Sequence, residues 1–364
     1  MEPSSVTFSH QPHPSPVTPE DRQALLVEPG FGRVFTDHMA VIDWSEAEGW
    51  HSARIAPRAP LTLDPATAVL HYAQEIFEGL KAYRHDDGAV ALFRPDANAR
   101  RFQASARRLA MPELPEELFL GSIEALVRAE RDWIPAQDGG SLYLRPFMVA
   151  SEVFLGVKPA GDYLYMVLAS SAGSYWKGGA RAISLWVSHD YARAAAGGTG
   201  AAKCGGNYAA SLVAQQEAIR RGCDQVVFLD AAERRWIEEL GGMNIFFVMA
   251  DGSLVTPPLT GTILPGVTRD SIITLARDAG LTVREELYAI DDWRADAESG
   301  KLVESFACGT AAVVTPIGRV AGPDYAFTIG SGSTGQTTQR LLDGLTAIQR
   351  GRAADPHGWL RRLD

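Results

Sequence analysis

The chain has 364 residues, 46% of them hydrophobic and 21% charged, which is enough apolar material for two cores in place of one. Its formal charge is -10, and the Lys and Arg residues form no stripe of the kind that tracks a phosphate backbone, so nucleic acid is excluded and a small-molecule partner is indicated. Three cysteines without CxxC spacing exclude a disulfide framework and a zinc ribbon, and point to a reducing, cytoplasmic setting.

Residues 1–28 begin MEPSSVTFSHQPHPSPVTPEDRQ and read as a flexible tail. No basic segment there leads into an apolar run, and no later stretch reaches the ~18 uncharged apolar residues that span a bilayer, so no membrane partner is expected. Of the 8 histidines only His10 and His13 lie close in sequence, in a tail with nothing rigid to orient them, and no metal site is expected. Residues 29–172 read as a smaller α/β domain: two strands around a DG turn in YRHDDGAVALF (83–93), helices over 95–110 and 115–134 opening on proline, and strands over 141–149 and 163–170. GSYWKGGAR (173–181), glycine-rich and aperiodic, is taken as the interdomain loop. Residues 182–364 form the larger domain, with strands in ISLWVS, CDQVVFLD, RWIEEL, NIFFVMADGSLVTP, LVESFACG and AVVTPIGRV, and helices at 207–221, 267–279 and 335–349. Hairpins outnumber βαβ units, which predicts an α/β (α+β) architecture of two domains with largely antiparallel mixed sheets, flanking helices and a ligand cleft between them.

The stretch GGTGAAKCGGNYAAS (197–211) sets one lysine among five glycines. A P-loop requires GK followed by Ser or Thr, but Ala202 precedes Lys203 and Cys204 follows it; a dinucleotide fingerprint requires glycine where Lys203 stands. Gly200, Gly205 and Gly206 allow close approach of a ligand, and Asn207 reads as the N-cap of a helix ending at Gly222. A lysine wrapped this way gains a use when a cofactor carbonyl captures it, the chemistry of pyridoxal 5'-phosphate, whose further needs are an acid for the ring nitrogen, a donor for the ring hydroxyl and donors for the phosphate. WIEELGGMN offers Glu238 or Glu239, only one of which can face the site because adjacent strand residues point to opposite faces. TGTILPGVTRDSI (260–272) is either a plain strand-to-helix turn or a phosphate cradle built from the N–H groups of Val267 and Thr268, and FACGTAAVV places Gly-Thr-Ala at another strand end.

KCGGNYAAS, EELGGMN, LPGVTRDS and CGTAA, in this order, together with FGRVFTDHM, LHYAQEIFEGLKAY, LFRPDANARRF, SLYLRPF and GSYWKGG upstream, closely resemble the branched-chain amino-acid aminotransferases, class IV aminotransferases of pyridoxal-phosphate fold type IV. The likeness runs from about Pro29 to the C-terminus. It implies transamination between Leu, Ile or Val and 2-oxoglutarate, giving branched-chain 2-oxo acids and L-glutamate, in a homodimer. Lys203 is then the catalytic, cofactor-capturing lysine, Tyr208 the donor to the ring oxygen and Glu239 the partner of the ring nitrogen, with Arg101, Val267, Thr268 and Thr310 on the phosphate. For substrate, the resemblance implies Tyr72, Thr310 and Ala311 at the α-carboxylate, and Phe31, Phe77, Tyr175 and Tyr208 as apolar walls. Tyr143 and Arg145 would admit the second carboxylate of glutamate, and Leu155 and Val157 would reach a neighbouring subunit. D-amino-acid and amine aminotransferases and aminodeoxychorismate lyase are the alternatives within the same fold type. Gly242 stands where other members carry threonine, which removes a hydroxyl near the substrate.

Overall fold

The structure is a computed structural model that describes residues 7–173 and 181–363. The chain divides into two compact units, Met1–Tyr175 with Ala202–Gly205 and Gln349–Asp364, and Trp176–Ala201 with Gly206–Ile348. Two segments expected in the C-terminal domain therefore belong to the first unit. Hydrogen bonding and burial explain both: strand Leu360–Arg362 pairs antiparallel with Val90–Phe93, and Ala202 and Cys204 are buried in the first unit's apolar core.

The first unit is a ten-stranded sheet in the order Ser9–His10, Gly49–Pro57, His38–Ser45, Asp162–Ala172, Ser141–Ala150, Leu80–Arg84, Val90–Phe93 and Leu360–Arg362. Two short strands join from the side, Val34–Phe35 on Asp162–Ala172 and Glu75–Phe77 on Ser141–Ala150. Its pairings among the described residues are antiparallel except that of Ser9–His10. The tail read as flexible is thus structured from residue 7. Beyond Ser9–His10 it forms helix Pro19–Val27, where the Thr18 side chain caps the Asp21 amide, and the Val17 amide donates to Asp37 at 3.0 Å. Helices Pro95–Arg108 and Glu116–Ala129 cover one face of the sheet. The first opens on Pro95 and Asp96 and ends on Arg107 and Arg108, each sign of charge set against the opposite pole of the helix dipole. Phe102, Phe119 and Tyr165 interlock beneath these helices with ring centroids 5.5 to 6.3 Å apart, and each such pair contributes about 1 kcal/mol beyond its buried area.

The second unit is a nine-stranded sheet in the order Ile237–Leu240, Gln225–Leu229, Ile183–Ser188, Val313–Ala321, Leu302–Gly309, Asn244–Met249, Leu254–Thr256 and Val283–Glu285, with Ala326–Thr328 on Val313–Ala321. Ile183–Ser188 runs parallel to both neighbours and Leu254–Thr256 parallel to Val283–Glu285; the remaining pairings are antiparallel. The sheet's strands are buried almost throughout, as continuous runs such as NIFFVM require. Helix Ile290–Ser299, absent from the elements expected above, fills one face with fully buried Trp293, whose ring meets Phe247 at 5.1 Å and Phe327 at 5.6 Å. Its signals are present in the chain: Asp291 and Asp292 in the first turn and a left-handed Gly300 at the end.

Candidate active site

In the first unit, two strands and one helix converge on Lys203. The Phe77 amide donates to the Lys203 carbonyl at 3.0 Å and the Lys203 amide donates to Ser105 Oγ at 2.9 Å, tying the lysine to strand Glu75–Phe77 and helix Pro95–Arg108. Its Nζ lies 4.8 Å from the centre of the Phe77 ring. Burial pulls the amine down from 10.5 to about 8, the Arg101 charge adds to this, Glu78 and Tyr143 oppose it, and Arg145 lowers it further. Arg145 stacks over both Phe77 (4.8 Å) and Tyr143 (5.4 Å) and donates to the Tyr143 hydroxyl at 3.1 Å, while the Phe31 ring meets Tyr143 edge-on at 5.0 Å. The structure thus brings together Phe31, Phe77, Arg101, Tyr143, Arg145 and Lys203. Gly79 makes this possible, because a Cβ there would run into the Tyr143 hydroxyl.

Glu78 is the residue of this group that sequence reasoning missed. It is fully buried and holds Arg101 by two parallel bonds, Nε to Oε1 at 2.7 Å and Nη2 to Oε2 at 2.8 Å, with Asn98 Nδ2 at 2.7 Å. Burial pushes its carboxyl up, but Arg101, Lys203 and Asn98 outweigh this and hold it below the usual carboxylate range. The RR run of Arg100 and Arg101 also resolves here: Arg100 is exposed and pairs with Asp96, four residues back, whereas Arg101 is buried. Lys81 is a second lysine with a depressed amine, brought to about 7 by burial and by Arg350. Low basicity alone therefore does not single out Lys203; the surrounding aromatic and charged groups do. Tyr72, Leu155 and Val157 form a separate, exposed grouping in the same unit, with the Tyr72 hydroxyl donating to the Leu155 carbonyl at 2.6 Å.

The second unit sorts the acidic pair. Glu239 Oε1 accepts from Arg193 Nη1 at 2.9 Å and from the Leu264 amide at 2.8 Å, and Asn244 Nδ2 approaches Oε2 at 3.3 Å. Both ends of the Arg193–Glu239 pair are 2% exposed, so the pair is desolvated. Glu238 points the other way, its carboxyl pushed up by burial against a hydrogen bond from Thr262. Arg193, in DYARAAAGG, carried no signal in a single sequence. The register of Asn244 against Cys308 then sets the GGM turn beside the end of strand Leu302–Gly309, where a Cβ on Gly309 would lie 3.3 Å from Met243; Thr310 and Ala311 follow directly. Cys308 is buried and its thiol pushed up to about 12 by desolvation, an inert packing residue. Val267 and Thr268 form the first turn of helix Val267–Asp278, whose N-cap Gly266 supplies no side-chain cap. Gly266 is crowded by Asn244, so it permits a close approach of chain to chain.

Two readings of the lysine loop need correction. Asn207 is not an N-cap: helix Gly205–Arg220 starts two residues earlier, and the Asn207 side chain instead meets Thr199, accepting from Oγ1 at 2.6 Å and donating to its carbonyl at 2.8 Å. Gly200 and Gly205 leave room for protein and not for a ligand, since a Cβ on the first would strike the Thr262 backbone and on the second the Glu75 carboxylate. Tyr175 and most of the 173–181 loop lie outside the described residues.

The amino-transferase class IV family matches residues 75–320, which takes in Glu78, Arg101, Lys203, Glu239 and Thr310. This chain is a class IV aminotransferase. The aminotransferase is 57% identical to a probable branched-chain-amino-acid aminotransferase of Streptomyces coelicolor over 99% of both chains, and 54% identical to the branched-chain-amino-acid aminotransferase of Mycobacterium tuberculosis over 100% of both. Among solved structures it is similar to the branched-chain amino acid aminotransferase of Escherichia coli, with 29% identity and a TM-score of 0.73 over 89% of this chain and 100% of that one. It is also similar to the branched-chain amino acid aminotransferase of Thermobaculum terrenum, solved in its PLP-bound holo form, at 25% identity and a TM-score of 0.71 over 90% of this chain and 98% of that one. No described helix of the aminotransferase is long and apolar enough to cross a membrane, and no group of three His, Cys, Asp or Glu among the described residues is arranged to hold a metal.

Proposed function

We propose that this aminotransferase exchanges amino groups between Leu, Ile or Val and 2-oxoglutarate with pyridoxal 5'-phosphate as cofactor. The observation that carries the reading is the Lys203 group: a lysine whose amine burial pulls down to about 8, flanked by apolar rings and by an Arg145–Tyr143 pair. The relatives' names supply the branched-chain amino acids, and the holo form of the Thermobaculum terrenum structure supplies the cofactor.

The donor set fits the cofactor. Lys203 supplies the amine for its aldehyde, Glu239 a carboxylate paired with Arg193, and Arg101, Val267, Thr268 and Thr310 donors for a phosphate, with Tyr208 donating to the ring oxygen. When bound, the cofactor takes up the substrate's amino group and accepts the electron pair released at the α-carbon. The chain's own work is proton handling and exclusion of water. Lys203, its amine pulled down to about 8 by burial, would take the α-proton at Nζ and give it back. Phe31, Phe77 and Tyr208 give an isobutyl or isopropyl group an apolar wall, and Tyr72, Thr310 and Ala311 receive the α-carboxylate. Arg145, whose buried Nε lacks a hydrogen-bond partner, is suited to the second carboxylate of glutamate, which could not be buried uncompensated.

A homodimer and a cytoplasmic setting belong to the same reading. Leu70, Tyr72, Val153, Leu155 and Val157 are exposed on adjoining segments, an apolar surface that a second copy would cover, and the free cysteines are buried. Size-exclusion chromatography with light scattering tests the dimer: a monomer at micromolar concentration counts against it. The substrate test is turnover with L-leucine and 2-oxoglutarate. Activity with D-alanine and none with L-leucine would move the assignment to another member of the fold type.

A further inference from the structure

Glu78 has no place in the reaction described so far, yet it is fully buried at the centre of the lysine group. Its carboxylate spends its hydrogen bonds inward: both oxygens on Arg101, Oε2 also on Asn98 and, at 3.1 Å, on the Gly79 amide. It sits one residue from the Phe77 amide that holds the Lys203 carbonyl. A buried carboxylate costs several kcal/mol to desolvate, and a chain seeking only packing at this position would do better with an apolar residue.

We infer that Glu78 is a positioning residue for the transamination site, clamping Arg101 into one orientation and setting a buried negative charge within the Lys203 group. The inference rests on Lys203 and Arg101 having the roles proposed above. The charge balance makes the case. Arg101 and Arg145 both bring positive charge to Lys203, and both act with burial to strip its proton. Glu78 and Tyr143 act the other way, and Glu78, held below the usual carboxylate range, is a full negative charge at neutral pH. Without it the amine would be pulled further below 10.5, and less of it would carry a proton at neutral pH. The clamp has a second consequence. The Nε edge of Arg101 is committed to Glu78, so the plane of the guanidinium is fixed before any phosphate arrives.

The test titrates Lys203 in the full-length protein stripped of cofactor, by the pH dependence of its labelling with an amine-directed reagent, read by peptide mass spectrometry. Wild type should show a labelling midpoint near 8. Glu78→Gln should lower it by on the order of one unit, and Glu78→Asp, which keeps the charge, should restore it. In the cofactor-loaded protein Glu78→Gln should also release pyridoxal phosphate at least about tenfold faster, one lost charge-assisted contact being ~1.4 kcal/mol. An unchanged midpoint in a folded Glu78→Gln protein overturns the inference. Should Glu78→Gln alone fail to fold, Arg101→Gln is compared with the Glu78→Gln/Arg101→Gln double variant, which buries a neutral pair. The midpoint must be lower in the double, and equal midpoints overturn the inference. Borohydride reduction of loaded wild type separates this from failure of the site itself: a cofactor adduct on Lys203 with an unmoved midpoint condemns only Glu78, and no adduct condemns the site.

Discussion

Removing Arg193 tests the reading of Glu239 most severely. Two charges 2.9 Å apart attract by about 6 kcal/mol at an effective dielectric near 20, and with both ends 2% exposed the desolvation cost cancels much of that. Deleting one partner leaves the other buried without compensation. Arg193→Met also strands the Thr262 carbonyl that Arg193 reaches at 3.0 Å, so it should cost about 3–5 kcal/mol. Glu239→Gln alone should cost less, since Gln keeps an oxygen for the Leu264 amide. The Arg193→Met/Glu239→Gln double should be more stable than the sum of the singles predicts, by at least about 1 kcal/mol. Urea unfolding followed by tryptophan fluorescence measures all three. In parallel, the wild-type rate should collapse in Arg193→Met while cofactor still binds. Additive losses, or an Arg193→Met protein within about 1 kcal/mol of wild type, would refute a desolvated, ionised pair.

Gly79→Ala should displace Tyr143 and with it the Arg145 hydrogen bond, raising KM for glutamate more than for leucine by about tenfold; equal effects on both substrates count against a role in the second carboxylate. Gly242→Ala is expected to be tolerated, because its Cβ would sit 3.6 Å from Tyr208 at ordinary van der Waals distance, and a loss of more than about threefold in kcat/KM would contradict that. The Lys203 amine has a folded value near 8 against 10.5 unfolded, so burial penalises the charged form below about pH 8 and the penalty fades as pH rises toward 10.5. Lys203→Met should therefore stabilise the cofactor-free protein by on the order of 2 kcal/mol at about pH 7, after screening, and by almost nothing at about pH 10.5; thermal melts at the two pH values check it.

The strands and helices around the lysine were legible because their signals are local: proline at helix starts, a DG turn at 87–88, and apolar runs too short for helices. The hairpin of His38–Ser45 and Gly49–Pro57 is not legible in the same way, its alternation blurred by residues such as His51 and Ser52, the latter at φ 55°. Asn207 misled because an Asn after glycines carries the look of a cap, and only the Thr199 side chain, eight residues away, claims it. Glu78 and Arg193 were invisible for a deeper reason. Each is defined by a partner far along the chain, Arg101 for the first and Glu239 for the second, and a single chain of letters shows charges but not which of them will be buried together. Two lysines, Lys81 and Lys203, end with depressed amines, and nothing in their immediate neighbours predicts it.

That pair of lysines supplies the most direct trial of the whole account. The protein loaded with pyridoxal 5'-phosphate, reduced with borohydride and digested, should carry the cofactor's mass on the peptide containing Lys203 and nowhere else. Reduced cofactor on Lys81, or on no lysine at all, would contradict it.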